Sequence, residues 1–322
     1  MGQNFKVGRD CALLEYLFEI MPDRSRTSVK NMLSKGQVQV NGESTTAFDR
    51  PLRKGDKITI LPKGVSIARN MRSDAREDVL RAGVGILFED ENYIVVDKPS
   101  GMLTVSSARG SAAKSPRKEQ TLYAILNAYI KMSARMQRKE DLIEGRQPDR
   151  STAKVWIIHR IDKGTSGVLV FAKNERAKDL LQSKWKELVL ERRYVAWLEG
   201  HLDKEQGAVQ SWLLENPKSL KMTSYHTEVK DGQLAITHYK LISESKYYSR
   251  VEFSLESGRK NQIRVHAADL GHPVAGDEKY GAQTNPARRL ALHAETLVFK
   301  NPFTGKTVKC TSPLPENLTR LA

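Results

Sequence analysis

Cysteine is nearly missing from this chain of 322 residues: there are two, Cys11 and Cys310. That is too few for a disulfide framework, and they lack the paired spacing of a metal knuckle, so both read as ordinary buried thiols. No apolar run approaches the roughly 20 residues that cross a bilayer, and the opening "MGQNFKVGRD" lacks the apolar stretch of a signal peptide. The expectation is a cytoplasmic protein with no membrane partner. Seven histidines show no pair at the i, i+4 spacing of a helical metal site, which predicts no metal. The phosphate-cradling patterns fail as well. "NPFTGKT" has Lys300 where the first glycine of a phosphate-binding loop belongs, and "GVG" at 83 to 85 lacks the third glycine of a dinucleotide fingerprint. "KGTSG" matches a serine-nucleophile elbow only loosely, because Gly167 directly follows Ser166.

Acidic residues are also in deficit, 38 against 53 Lys and Arg, which leaves a formal charge of +15. Such an excess favours a polyanionic partner, nucleic acid ahead of an anionic membrane surface, over a small neutral metabolite. The length suits one large domain plus a small one.

From Asp10 to Ile60 the pattern reads helix, helix, hairpin. "CALLEYLFEIM" carries Leu13, Leu14, Leu17 and Phe18 at helical spacing. "SRTSVKNMLSKG" opens on a Ser suited to capping and stops at Gly36. In "QVQVNGES" the Asn-Gly pair predicts a hairpin, and "KGDKITIL" returns as a strand. Residues 64–83 are polar and read as a linker, and the large domain starts at 84. "GILFEDENYIVVDKPSGMLTV" contains two β-rich runs around an acidic turn, and a basic Ser- and Ala-rich loop follows. Leu122, Ile125, Leu126, Tyr129 and Ile130 mark an amphipathic helix, beyond which residues 131–153 run on with few apolar anchors. After Val155 strands dominate, interrupted by helical stretches near 175–188 and 263–270. No regular strand–helix alternation appears, so the fold class is α+β and not a doubly wound parallel sheet.

The stretch "IIHRIDKGTSGVLVFAKN" at 157 to 174 sets one carboxylate, Asp162, just ahead of a Gly-containing turn. Together with "ERRYVAWLEG" at 191 to 200 and "LESGRKNQIRVHAADLGHPVAGDEKYG" at 255 to 281, it resembles the RluA-type pseudouridine synthase family, which isomerises uridine in structured RNA. The family's His-Arg-Leu-Asp and Thr-Ser-Gly stand here as His159-Arg160-Ile161-Asp162 and Thr165-Ser166-Gly167. "EDENYIVVDKPSGMLTV" and "ALHAETLVFKNPFTG" extend the likeness over about residues 85 to 320. "DRSRTSVKNMLSKGQVQVNGE" is similar to an S4 domain, a small RNA-binding unit. Ile161 replaces the usual Leu, and Asn261 stands where many relatives have His.

The resemblance implies a catalytic domain at 84–322 built on a mostly antiparallel mixed sheet with flanking helices and loops, and a small α/β S4-like domain at 1–63. It implies that Asp162 is the catalytic aspartate, either nucleophile or base. A carboxylate shielded from water tends to protonate, so a cation is needed beside it; the resemblance assigns Arg264 that place. It gives Arg160 the part of filling the space left by a flipped base and Tyr194 that of packing against the flipped uracil. Thr165, Ser166 and Gly167 would shape the turn that presents Asp162, with His159 a positioning or core residue. Arg26 and Lys30, at i, i+4 on one helix face with Arg24 at its start, form a basic stripe suited to a phosphate backbone. No cofactor is expected, since the isomerisation adds and oxidises nothing. The expected partner of this monomer is ribosomal RNA, by the S4-like module, with transfer RNA as the alternative. The rivals are a non-catalytic RNA-binding assembly factor and an N-glycosidic hydrolase, which would want a second acid beside the signature.

Overall fold

The structure, a computed structural model, describes residues 3–61, 75–106, 120–149 and 151–321. Most of the expected linker, and the basic loop from 107 to 119, lie outside the described residues. The chain divides into two compact units, Met1–Leu80 with Asn127–Ala153 and Arg81–Leu126 with Lys154–Ala322.

In the smaller unit the local chemistry dictates the elements closely. The helix α1, Leu13–Ile20, begins two residues later than "CALLEYLFEIM", because Cys11–Ala12 (β2) pairs with Pro51–Leu52 (β5). Ser25 caps α2, Arg26–Ser34, its hydroxyl accepting from the Ser28 N–H at 3.2 Å. Strands β3 (Val38–Val40) and β4 (Glu43–Thr45) meet at Asn41-Gly42, whose φ angles of 54° and 89° are those a type I′ turn requires. With β1 (Gln3–Lys6) and β6 (Lys57–Ile60) they form a four-stranded sheet in the order β1-β6-β3-β4. Leu13, Leu17, Val29, Leu33, Val38 and Ile58 close its core. The helix Leu122–Ile143 runs well past the last of the five apolar positions that mark it. Met136 is fully buried there and Gln137 donates to Asp141 at 3.1 Å, a polar i, i+4 contact that sustains helix where apolar anchors are sparse.

An eleven-stranded sheet forms the larger unit. Its main path runs β13 (Met222–Tyr225), β12 (Gln206–Glu215), β14 (Gln233–Glu244), β15 (Tyr248–Leu255), β11 (Val189–Glu199), β16 (Leu292–Lys300), β10 (Ser166–Ala172), β8 (Tyr93–Lys98) and β7 (Gly85–Glu89). Strand β17 (Thr307–Thr311) pairs with β16, and β9 (Trp156–Ile157) with β10. Every pairing is antiparallel except β10 with β16. The mostly antiparallel α+β fold expected above is therefore the one observed. Strands β8 and β10 carry unbroken apolar runs, in "YIVV" and "GVLVFA", and all seven residues of β10 are buried.

That one parallel pair positions the functional loops. Ser166 lies opposite His293 and Gly167 opposite Ala294, so the segments entering β10 and β16 arrive side by side. A Cβ at Gly167 would lie 2.1 Å from the Ala294 carbonyl oxygen, and its φ of 112° suits glycine alone. Tyr194 on β11 pairs with Ala294 from the other side, which brings Gly167, Ala294 and Tyr194 into one row across three strands.

Candidate active site

Asp162 stands in the connection from β9 to β10, where the Thr165 N–H donates to the Asp162 carbonyl at 3.1 Å and closes the turn. A second loop straps this one down. The buried Lys98 ammonium donates to the carbonyls of Met102 (2.8 Å), Pro99 (3.0 Å) and Lys163 (3.2 Å). Ser100 Oγ donates to the Gly164 carbonyl at 2.7 Å, Gly101 N–H to Lys163 O at 2.8 Å, and Thr104 Oγ1 to Ile161 O at 3.1 Å. Burial and the nearby Arg289 pull the Lys98 pKa down to about 7 against the opposing charges of Asp162 and Asp97.

Arg264, on the helix Gln262–Asp269, points its Nη1 at Asp162 Oδ2, 3.3 Å away. Its other side is gripped by Asp277, whose carboxylate takes Nε and Nη2 at 2.6 Å each and is almost wholly buried. The Tyr280 ring faces the guanidinium at 5.0 Å. Burial opposes the arginine's charge, but Asp277, by hydrogen bond and charge, and then Asp162 hold its pKa above the ordinary value. Asn261 precedes the helix in the left-handed region (φ 53°), which asparagine tolerates. Its Oδ1 accepts from Arg264 Nη1 at 3.2 Å and its Nδ2 donates to Tyr280 Oη at 2.9 Å. The substitution flagged in the sequence thus serves as a further bracket on Arg264.

Asp162, Arg264, Tyr194 and Arg160 all line one cleft of about 1070 Å³. Tyr194 is buried, and burial raises its pKa, with Arg192 opposing and Asp162 adding to the rise. Arg160 is exposed on the wall. His159 turns inward: the Val170 N–H donates to its Nε2 at 3.2 Å and its ring packs 5.0 Å from Trp185. Arg24, Arg26 and Lys30 are exposed on or beside α2, with Arg26 over the Phe18 ring at 5.5 Å.

Ser166 makes its hydrogen bonds away from the Asp162 carboxylate. Its hydroxyl belongs to a relay behind the loop. The Ser312 carbonyl lies 3.2 Å from His293 Nε2 and can only accept, so Nε2 carries the proton. Nδ1 then accepts from Ser166 Oγ at 2.8 Å, and Oγ in turn accepts from Arg289 Nη2 at 2.7 Å. Sequence reasoning missed Lys98, Asp277, Tyr280, Arg289 and His293 as site residues. All but Arg289 lay inside motifs that carried the resemblance, Lys98 in "EDENYIVVDKPSGMLTV", Asp277 and Tyr280 in "GHPVAGDEKYG" and His293 in "ALHAETLVFKNPFTG", but nothing there marked them as site residues.

Three histidines are held neutral by burial: His159, with Arg192 adding, at a pKa of about 3, His266 at about 4 and His293 at about 4. The unfolded chain binds protons at these sites below about pH 6.5, whereas the folded chain does so only nearer 3 or 4. The unfolded state therefore carries more protons across that window. Stability is fully present above it and falls on acidification by up to about 4 kcal/mol per pH unit with all three contributing. Urea unfolding at successive pH values measures this, and an unchanged midpoint from pH 7 to 5 contradicts it.

The arrangement sets Asp162 beside a fixed cation and a buried tyrosine in a cleft large enough for a nucleotide, in a chain of high positive charge. Those features suit a class, enzymes that act on a base within a nucleic acid. The sequence profile described as RNA pseudouridylate synthase matches residues 92–269, more than half of the chain. An uncharacterized RNA pseudouridine synthase of Bacillus subtilis (strain 168), YlyB, is 33% identical over 313 residues, covering 95% of this chain and 91% of that one. Ribosomal large subunit pseudouridine synthase D of Xanthomonas campestris pv. campestris is 28% identical over 321 residues, covering 95% and 86%. Among solved structures, human RNA pseudouridylate synthase domain containing 4 shares the fold with a TM-score of 0.55 at 21% identity, over 79% of this chain and 97% of that one. The chain belongs to the RNA pseudouridylate synthase family and is an isomerase acting on RNA.

Proposed function

We propose that this enzyme isomerises uridines of large-subunit ribosomal RNA, with Asp162 as the catalytic carboxylate. The observation that carries the assignment of Asp162 is its position 3.3 Å from Arg264 in the cleft that Tyr194 also lines. The choice of RNA rests on the match, along nearly the whole chain, to relatives named ribosomal large subunit pseudouridine synthase D. In the reaction the bond from uracil N1 to the sugar breaks, the base turns, a bond from C5 to the sugar forms, the C5 hydrogen departs as a proton, and N1 takes up a proton, so that the product is an isomer. Asp162 serves as nucleophile or base in this sequence, Arg264 balances its charge, and Tyr194 supports the ring of the extruded base.

Tritium release from large-subunit ribosomal RNA and transfer RNA transcripts labelled at uridine C5 tests the choice of RNA. Release from the ribosomal transcript is expected, and release from transfer RNA alone overturns it.

Arg160, exposed on the cleft wall two residues before Asp162, fills the gap left by the flipped nucleotide. Arg160→Ala is expected to slow a stacked or duplexed target by roughly 10-fold more than a loosened one, since only the former requires unstacking. Equal losses in single-turnover assays on the two substrates remove that role.

Residues 1–63 act as an S4-like RNA-binding domain. Replacing Arg24, Arg26 and Lys30 together by Gln is expected to lower the salt slope of RNA binding by about 2 to 3 units without lowering thermal stability. An unchanged slope rules out the stripe.

A further inference from the structure

Arg192 and Arg264 are the partly buried arginines of the cleft, and they are held in different ways. Arg192 lies on β11 two residues before Tyr194, so both side chains share one face of the strand and both line the cleft. Its Nη2 donates to the carbonyls of Leu255 (2.9 Å) and Ser257 (3.2 Å), and its guanidinium lies over the Trp185 ring at 5.6 Å. Both hydrogen-bond partners are neutral. Arg264, by contrast, has two carboxylates. Two acids of the cleft are engaged by other residues: Glu256 receives His238 Nε2 at 2.6 Å, and Glu191 sits 3.7 Å from Arg193. Burial accordingly pulls the Arg192 pKa down, with only the Tyr194 oxygen opposing.

A partly buried guanidinium with no counter-ion is costly unless something anionic completes it. The adjoining loop comes close to the head group: a Cβ at Gly258 would lie 2.9 Å from Arg192 Nη1, so a residue without a side chain lets the guanidinium sit there. Trp185, between the His159 ring and Arg192, fixes the plane of the guanidinium.

We infer that Arg192 forms a phosphate site on the cleft wall, taking a backbone phosphodiester of the RNA strand next to the flipped nucleotide while Tyr194 packs on its base. This rests on the reading of the cleft as the seat of the target nucleotide, and it gives the strand a second fixed point besides Asp162.

The test is the salt dependence of binding of a labelled large-subunit ribosomal RNA transcript, read between about 50 and about 200 mM salt. Arg192→Gln is expected to weaken binding roughly tenfold at low salt and to reduce the slope of log affinity against log salt by about 1, while Arg192→Lys keeps the wild-type slope. A slope for Arg192→Gln equal to wild type overturns the proposal even if affinity falls, because a purely structural arginine changes stability and not the number of phosphates neutralised. Should Arg192→Gln fail to fold, Gly258→Asp decides. It places a carboxylate against Arg192 and so takes up the charge meant for the phosphate, and the same loss of slope is expected; a wild-type slope counts against the site. Tritium release is scored on the same transcript. Wild type that binds but releases none contradicts the choice of ribosomal RNA and leaves the phosphate result standing.

Discussion

Asp162→Asn is expected to bind RNA as wild type does and to release no tritium, a fall of at least about 10⁴-fold, the scale seen when an enzyme loses the group that does its chemistry. The substitution keeps the shape of the side chain, and its amide still offers an oxygen toward Arg264 Nη1, now 3.3 Å from Oδ2. What disappears is the charge and the capacity to attack or to draw a proton. Single-turnover release with RNA in hand, beside a binding titration, separates this from loss of affinity. Residual isomerisation within about tenfold of wild type would move the chemistry to another residue. A wild type that binds without turnover on ribosomal RNA, transfer RNA and partly assembled ribosomal particles would favour the assembly-factor reading.

The second large effect belongs to Asp277, which never contacts Asp162. Its carboxylate, 1% exposed, holds two nitrogens of Arg264 at 2.6 Å. Asp277→Ala strands a buried guanidinium and is expected to cost about 3 to 5 kcal/mol of stability. The loss of aim should also lower turnover by about 10²-fold, as misplacement of a group by an ångström can. Urea unfolding and single-turnover kinetics on the same preparation read the two effects together. Lost stability with full turnover would make Asp277 an anchor of the fold with no bearing on the chemistry.

The local chemistry of this chain was legible because it is local. Ser25 before α2, Asn41-Gly42 between β3 and β4, and the β-rich runs after Val155 each state their geometry within a few residues. Asp162 and Arg264 entered through motif resemblance, and the coordinates bring them into contact. What the sequence could not convey is how distant segments interlock. Nothing near Lys98 says that its ammonium will tie Met102 to Lys163, and nothing near His293 says that Ser166 will donate to it. Asp277 was hidden differently: one acid in a run reading "GDEKYG" has no mark of its own until Arg264 is seen with two of its nitrogens already occupied. The helix beyond Ile130 was obscured because Met136 alone buries itself among charged neighbours.

The parallel seam between β10 and β16 has a consequence in time. Ser166 and His293 are 127 residues apart, so the seat of Asp162 depends on a loop closed late and over a long distance. A ribosome making this chain from its N-terminus exposes the strand β10 long before β16 exists to flank it. Until Arg289 and His293 emerge, the hydroxyl of Ser166 has neither its donor nor its acceptor, and Gly167 is paired with Lys98 on one side only. The loop that carries Asp162 can therefore be strapped by residues 98–104 as soon as it is made, but its support from behind waits for the segment from Arg289 to Ala294.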